Sequence, residues 1–134
     1  MRGRNKMPTL KEIHDSIKNL DESQHLLKYP EIKELPHILQ KDERIERIAS
    51  GVYEGRKGIL AATEKRLLFI YKGLIFSLKI YDFPYDAIKS IKPTTGFNLG
   101  DLDITTVGGP ICIKLIDKPL LKGFVGYVSN RIAA

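Results

Sequence analysis

One cysteine occurs in 134 residues, and no run of apolar residues approaches the roughly 20 needed to cross a bilayer. The lone thiol, Cys112, forms no internal disulfide and supplies no thiolate-rich zinc site, a usage that a reducing compartment permits. The opening MRGRNKMPTLKE lacks the apolar stretch of a secretory signal, so the expected address is the cytoplasm. His14, His25 and His37 stand eleven and twelve residues apart, a spacing that does not bring them onto one helix turn as metal ligands. Gly51, Gly55 and Gly58 enclose a hairpin pattern, not a strand-to-helix junction, so no glycine loop for a nucleotide phosphate is present. Cys112 lies in PICIKLI with no histidine near it in sequence to activate it. Asp101 and Asp103 are carboxylates at strand spacing and read as a solvated strand face. The expectation is a chain with no catalytic residue, no metal and no cofactor.

What is present is charge and periodicity. Lys and Arg exceed Asp and Glu by six. Residues 1–43 are balanced, eight basic against eight acidic; the remaining 91 carry the whole excess, fourteen against eight. Such an excess attracts phosphate-bearing partners or simply keeps the chain soluble. The length suits one domain, with residues 1–43 as an N-terminal helical extension and 44–134 as the domain proper.

Between Pro8 and Leu27 the residues Leu10, Ile13, Ile17, Leu20 and Leu27 recur at helical spacing, interrupted at Gln24. Thr9 and Glu12 form the pattern of a capping box. The stripe of Leu10, Ile13, Ile17 and Leu20 either packs on its own domain or pairs with a helix of another chain. Tyr29-Pro30 ends this helix, and a second short one runs on to Leu39, perturbed at Pro36.

After Leu39 the texture changes to short runs rich in Ile, Val, Tyr, Phe and Thr. These predict strands over Ile45–Glu54, Gly58–Thr63, Arg66–Lys72, Ile75–Phe83, Ile88–Thr94, Leu99–Val107 and Ile111–Asp117. Phe76, Leu78 and Ile80 share one face, as do Leu102 with Ile104, and Ile111, Ile113 and Leu115. In the third strand Leu67, Phe69 and Tyr71 take one face and Leu68 and Ile70 the other, the pattern of a strand covered on both sides. From Asp117 helical spacing returns through Leu120, Leu121, Phe124, Val125, Val128 and Ile132.

Seven short antiparallel strands and one C-terminal helix resemble the pleckstrin homology (PH) fold. That is a mainly β (α+β) architecture, a partly open barrel of two near-orthogonal sheets with the helix capping one end. The run GVYEGRKGILAATEKRLLFIYKG and the later FPYDAIKSIK resemble bacterial PH-like domains of the YokE-like kind, over residues 35–133. The matching positions are Thr63, Lys65, Arg66-Leu67, Phe83-Pro84-Tyr85 and Ile88. The resemblance implies a non-enzymatic binding module, acting on a protein partner or on copies of itself through a sheet edge or the groove beside the last helix. It also implies an alternative. Lipid-binding PH domains carry a basic basket on the loops joining strands one to two, three to four and six to seven. Here those loops offer Arg56 and Lys57, then Lys72, then the uncharged Gly108-Gly109, so contact with anionic lipid would be weak and nucleic acid is not expected. Glu64-Lys65-Arg66 falls at the opposite end as a turn, with Arg66 expected to find a carboxylate or a backbone carbonyl.

Overall fold

A computed structural model describes residues 7–20, 23–75 and 77–133. Thr9 opens helix α1 (Leu10–Lys18) with the anticipated capping box: Glu12 N donates to Thr9 Oγ1 at 3.1 Å and Thr9 N to Glu12 Oε1 at 3.0 Å. The helix stops well short of Leu27, and a 3₁₀ turn over Gln24–Lys28 follows. That turn buries Leu26 completely and leaves Leu27 beside it half-buried, a choice that a continuous helical stripe would have reversed. A further 3₁₀ turn (Pro30–Glu34) leads into the four-residue α2 (Leu35–Ile38). Among the described residues no helix is long and apolar enough to cross a membrane.

Seven strands follow: β1 (Ile45–Tyr53), β2 (Arg56–Thr63), β3 (Arg66–Lys72), β4 (Leu78–Pro84), β5 (Ile88–Thr95), β6 (Leu99–Thr106) and β7 (Gly109–Asp117). They form one antiparallel open sheet in the order β4-β3-β2-β1-β7-β6-β5, so β4 and β5 are its edges. The β1–β2 hairpin turns on Glu54 (φ 52°) and Gly55 (φ 77°), the two successive positive φ values that a tight two-residue hairpin loop demands. Helix α3 (Lys118–Ala133) packs on β1, β5 and β6 and buries Leu121, Phe124 and Val128. Among the described residues β4 starts at Leu78, three residues later than Ile75; Phe76 lies outside the described residues.

Two apolar layers sandwich strands β1–β3. On the inner face Ala49, Leu60, Leu67 and Phe69 meet α3 and the β5–β7 strands. On the outer face Ile48, Ile59, Ala61, Leu68 and Ile70 lie under Ile13, Ile17, Leu26, Ile32, Leu35 and Leu39. The two faces of β3 are thus both covered, as its sequence predicts. Ile13 and Ile17 are buried in that outer layer, with Leu10 and Leu20 half-buried beside them. The α1 stripe therefore packs within its own chain.

β2 and β3 pack so closely that a Cβ at Gly58 would collide with the Ile70 carbonyl oxygen and press on the Phe69 ring. Gly58→Ala is expected to destabilise the fold by about 1–3 kcal/mol, because the obstacle is backbone and cannot rotate away. A urea midpoint that falls with an unchanged slope would confirm it; an unchanged midpoint would refute it.

Candidate functional site

The TEKR turn is structural. Thr63 Oγ1 accepts the backbone N–H of Lys65 (3.0 Å) and of Arg66 (3.1 Å), closing the turn between β2 and β3. Arg66 grips the buried Glu43 through Nε (2.9 Å) and Nη2 (3.0 Å), and donates to Asp82 (2.7 Å) and to the Ile38 carbonyl (2.9 Å). Thr63 Oγ1 in turn donates to Glu43 (2.6 Å). Tyr85 enters the core from the Pro84 corner and donates its hydroxyl to the Thr63 carbonyl at 2.6 Å. Burial pushes the Tyr85 phenol well above its ordinary range, and so keeps it a donor. Glu43, Thr63 and Arg66 thus satisfy one another.

The three cations expected to face an anion do gather at one end of the sheet. Arg56 stands opposite Tyr53 in the hairpin, and the β2–β3 register (Ile59 opposite Ile70), continued by two residues, sets Lys57 across from Lys72. Each is engaged by its own chain. The Arg56 guanidinium lies 5.6 Å from the Tyr71 ring centre and the Lys57 ammonium 5.8 Å from that of Tyr29. Lys72 Nζ is bonded to Glu34, and its backbone N–H donates to Glu31 Oε2 at 2.9 Å. The hydrogen bond from Lys72 holds the Glu34 carboxyl below its usual range. Tyr29, Glu31 and Glu34 all belong to the segment before β1, which thus engages Lys57 and Lys72, while Arg56 is engaged within the sheet by Tyr71 of β3.

Cys112 lies beside Asp103 in the β6–β7 register. Burial, a hydrogen bond to Asp103 and the nearby carboxylate charges push its thiol up to about 11, which leaves little thiolate at neutral pH. Asp103 accepts the Thr94 hydroxyl (2.7 Å) and Asp101 the Leu115 N–H (3.2 Å), so both carboxylates serve the sheet. Among the described residues no group of His, Cys, Asp and Glu is placed to hold a metal ion.

The surface feature that strand alternation concealed is β4. Leu78 and Ile80 lie in register with Lys72 and Ile70, on the outer face, yet they are 40% and 44% exposed. The segment before β1 covers β2 and β3 and leaves these two side chains bare. The preceding loop, closed by Gly73 N donating to the Ser77 carbonyl (2.6 Å), carries Leu74 and Ile75 into solvent. On the inner face Tyr81 packs edge-on against Tyr53 at 4.9 Å, with Phe69 and Phe83 adjoining. The opposite edge, β5, carries Lys89, Lys92 and Pro93, the charges and missing donor that protect an edge strand. β4 has no proline before its last residue. Sequence alone gives Leu78 and Ile80 the alternation of core residues; only the strand order reveals that they belong to an edge.

A partly open antiparallel sheet of seven strands closed by a C-terminal helix defines a PH-like domain. The chain belongs to the bacterial PH domain family, whose model matches residues 39–130. Solved structures are similar, among them the two that follow. One is a DUF1696 family protein with a pleckstrin-homology domain from Shewanella loihica PV-4, 23% identical, covering 75% of this chain and 91% of that one, at a TM-score of 0.54. The other is a pleckstrin homology domain from Shewanella amazonensis SB2B, 21% identical, covering 75% and 94%, also at 0.54. The C-terminal domain of an unknown protein from Leishmania infantum is similar at 17% identity and a TM-score of 0.51, covering 67% and 85%. These likenesses are of fold. No curated protein matches.

Proposed function

We propose that this chain is a non-enzymatic protein-binding module of the bacterial PH domain family, of the YokE-like kind, working in the cytoplasm, and that β4 is its binding edge. The observation that carries the reading is the exposure of Leu78 and Ile80 on an end strand that the segment roofing β2 and β3 does not cover. An extended segment added along β4 satisfies the main-chain groups of the edge and sets its own alternate apolar side chains against Leu78 and Ile80. Main-chain pairing of this type leaves little side-chain signature, in keeping with a sequence that carries no ligand motif.

A peptide library displayed on phage and panned against the full chain tests this. Selected peptides are expected to alternate apolar residues and to lose binding at least roughly tenfold to Ile80→Lys, a loss of about 1.4 kcal/mol. Peptides that bind Ile80→Lys and Leu78→Lys as well as the parent would place the binding surface elsewhere.

A second reading, contact with anionic lipid, is favoured by one observation. Leu74 (99% exposed) and Ile75 (75% exposed) project between Lys72 and Lys79, an apolar tip flanked by cations. The engagement of Lys72 by Glu34 weakens it.

A further inference from the structure

We propose that the partner at the β4 edge is a second copy of the chain, joined β4 to β4 antiparallel about a two-fold axis through Ile80. The proposal rests on reading β4 as the binding edge. In such a pair the outer face of one sheet must continue into the outer face of the other, and a one-residue slip would set apolar outer side chains against the inner face. Only registers that keep the faces matched remain, and the side chains of LKIYDFP discriminate among them.

An axis at Lys79 sets two lysines directly opposite each other, a like-charge pair that destabilises a ladder. An axis at Tyr81 sets Ile80 against the Asp82 of the other copy and Leu78 against its Pro84, which has no N–H to give. An axis at Ile80 sets Ile80 against Ile80, with Leu78 of each copy on the diagonal, so four aliphatic side chains form one block. In the same register Lys79 of each copy faces Tyr81 of the other on the inner face, a cation opposite an aromatic ring. Leu78 then stands opposite Asp82, the one mixed pair, and Asp82 already receives Arg66 from its own chain. The apolar layer that the N-terminal segment lays over β2 and β3 thus continues across β4 into the second molecule. Lys79, the one formal charge of the strand without an ion pair among the described residues, falls beside a ring.

The test uses the full chain carrying Cys112→Ser, with single cysteines introduced on β4. Sedimentation velocity of the parent is expected to show a concentration-dependent dimer, and Ile80→Lys to weaken the dimerisation constant at least roughly tenfold while keeping the parent's thermal midpoint, as befits a half-exposed site. On mild oxidation Ile80→Cys is expected to form a covalent dimer. Leu78→Cys is not, because its two copies lie four residues apart, about 13 Å, beyond the reach of a disulfide. A parent that stays monomeric to about 100 µM, or a dimer cross-linked by Leu78→Cys in preference to Ile80→Cys, overturns the proposal. A monomer whose library peptides are still lost on Ile80→Lys leaves the binding edge standing and removes only self-association. A monomer that ignores those peptides and pellets with phosphatidylserine-containing vesicles, in a manner abolished by Leu74→Asp and by high salt, overturns both readings in favour of a membrane contact.

Discussion

Arg66→Ala lowers the unfolding free energy by about 3–5 kcal/mol at neutral pH, which for a chain of this size brings the melting temperature down by roughly 10–20 °C. The reason lies in Glu43, whose side chain is fully buried and whose two oxygens receive Arg66, Gln40 N and the Thr63 hydroxyl. Burial by itself would raise the Glu43 pKa, but the hydrogen bonds from Arg66, Gln40 and Thr63, together with the Arg66 charge, outweigh it and hold the carboxyl below its ordinary value. A folded pKa depressed in this way contributes stability that is present above the unfolded carboxylate range, about 4.3, and is lost as pH falls through the folded value. In the variant the strongest of these bonds are gone and burial dominates, so the Glu43 pKa rises above its unfolded value and protonation favours the fold. The gap between parent and variant is therefore widest near pH 7, narrows as pH falls through the raised Glu43 value of the variant, and narrows further below about 4.3 as the parent approaches its own depressed value. Chemical denaturation at a series of pH values checks this; a gap that is constant with pH would show that Arg66 acts by packing alone. Glu43→Gln is expected to cost less than Arg66→Ala, since it leaves no buried charge without a partner.

Ile17→Asp is expected to detach the N-terminal segment or unfold the protein outright, and a chain starting at residue 39 is expected to aggregate. Ile17 is completely buried between the sheet and the segment's own turns. Truncation of such a side chain to Ala costs about 2–5 kcal/mol, and a buried carboxylate without a partner costs more. A chain trimmed to the start of the family match would expose Ile48, Ile59, Leu68 and Ile70 together, each worth about 1.5–3 kcal/mol when buried. Size-exclusion chromatography and amide hydrogen exchange read the outcome. A soluble, well-protected 39–134 fragment would show that the outer face tolerates water and that the segment is an accessory. The same cut would remove Glu31 and Glu34 and free Lys72, so any gain in anion binding by a surviving fragment would mark the segment as the masking element.

The basic residues at the strand ends are the first place a PH resemblance directs attention. Here Lys57 and Lys72 are held by an aromatic ring and a carboxylate from a segment that precedes the family match, and Arg56 by Tyr71 within the sheet. The acidic and aromatic character of Tyr29, Glu31 and Glu34 is unremarkable in sequence, and nothing there ties it to the distant Lys57 and Lys72. The contact exists because apolar burial of Leu26, Ile32 and Leu35 brings those side chains over the end of β3.

The sequence by itself determined the succession of seven strands and a last helix, the hairpin pattern around Gly55, the capping box at Thr9 and the double coverage of β3. All of these are local: they follow from the conformational limits of glycine, short-range hydrogen bonds and the period of apolar side chains. The structural role of Arg66 was legible too, because a cation directly after a tight turn, before an apolar strand, must find an acceptor nearby. Tertiary structure alone decided three things: that Glu43 is the acceptor, that Ile13 and Ile17 pack inward on the sheet, and that Leu78 and Ile80 lie on an open edge. Each depends on which segments become neighbours in space. The same alternation that buries Leu68 and Ile70 leaves Leu78 and Ile80 half-exposed, because the strand order ends at β4 and the covering segment ends with it.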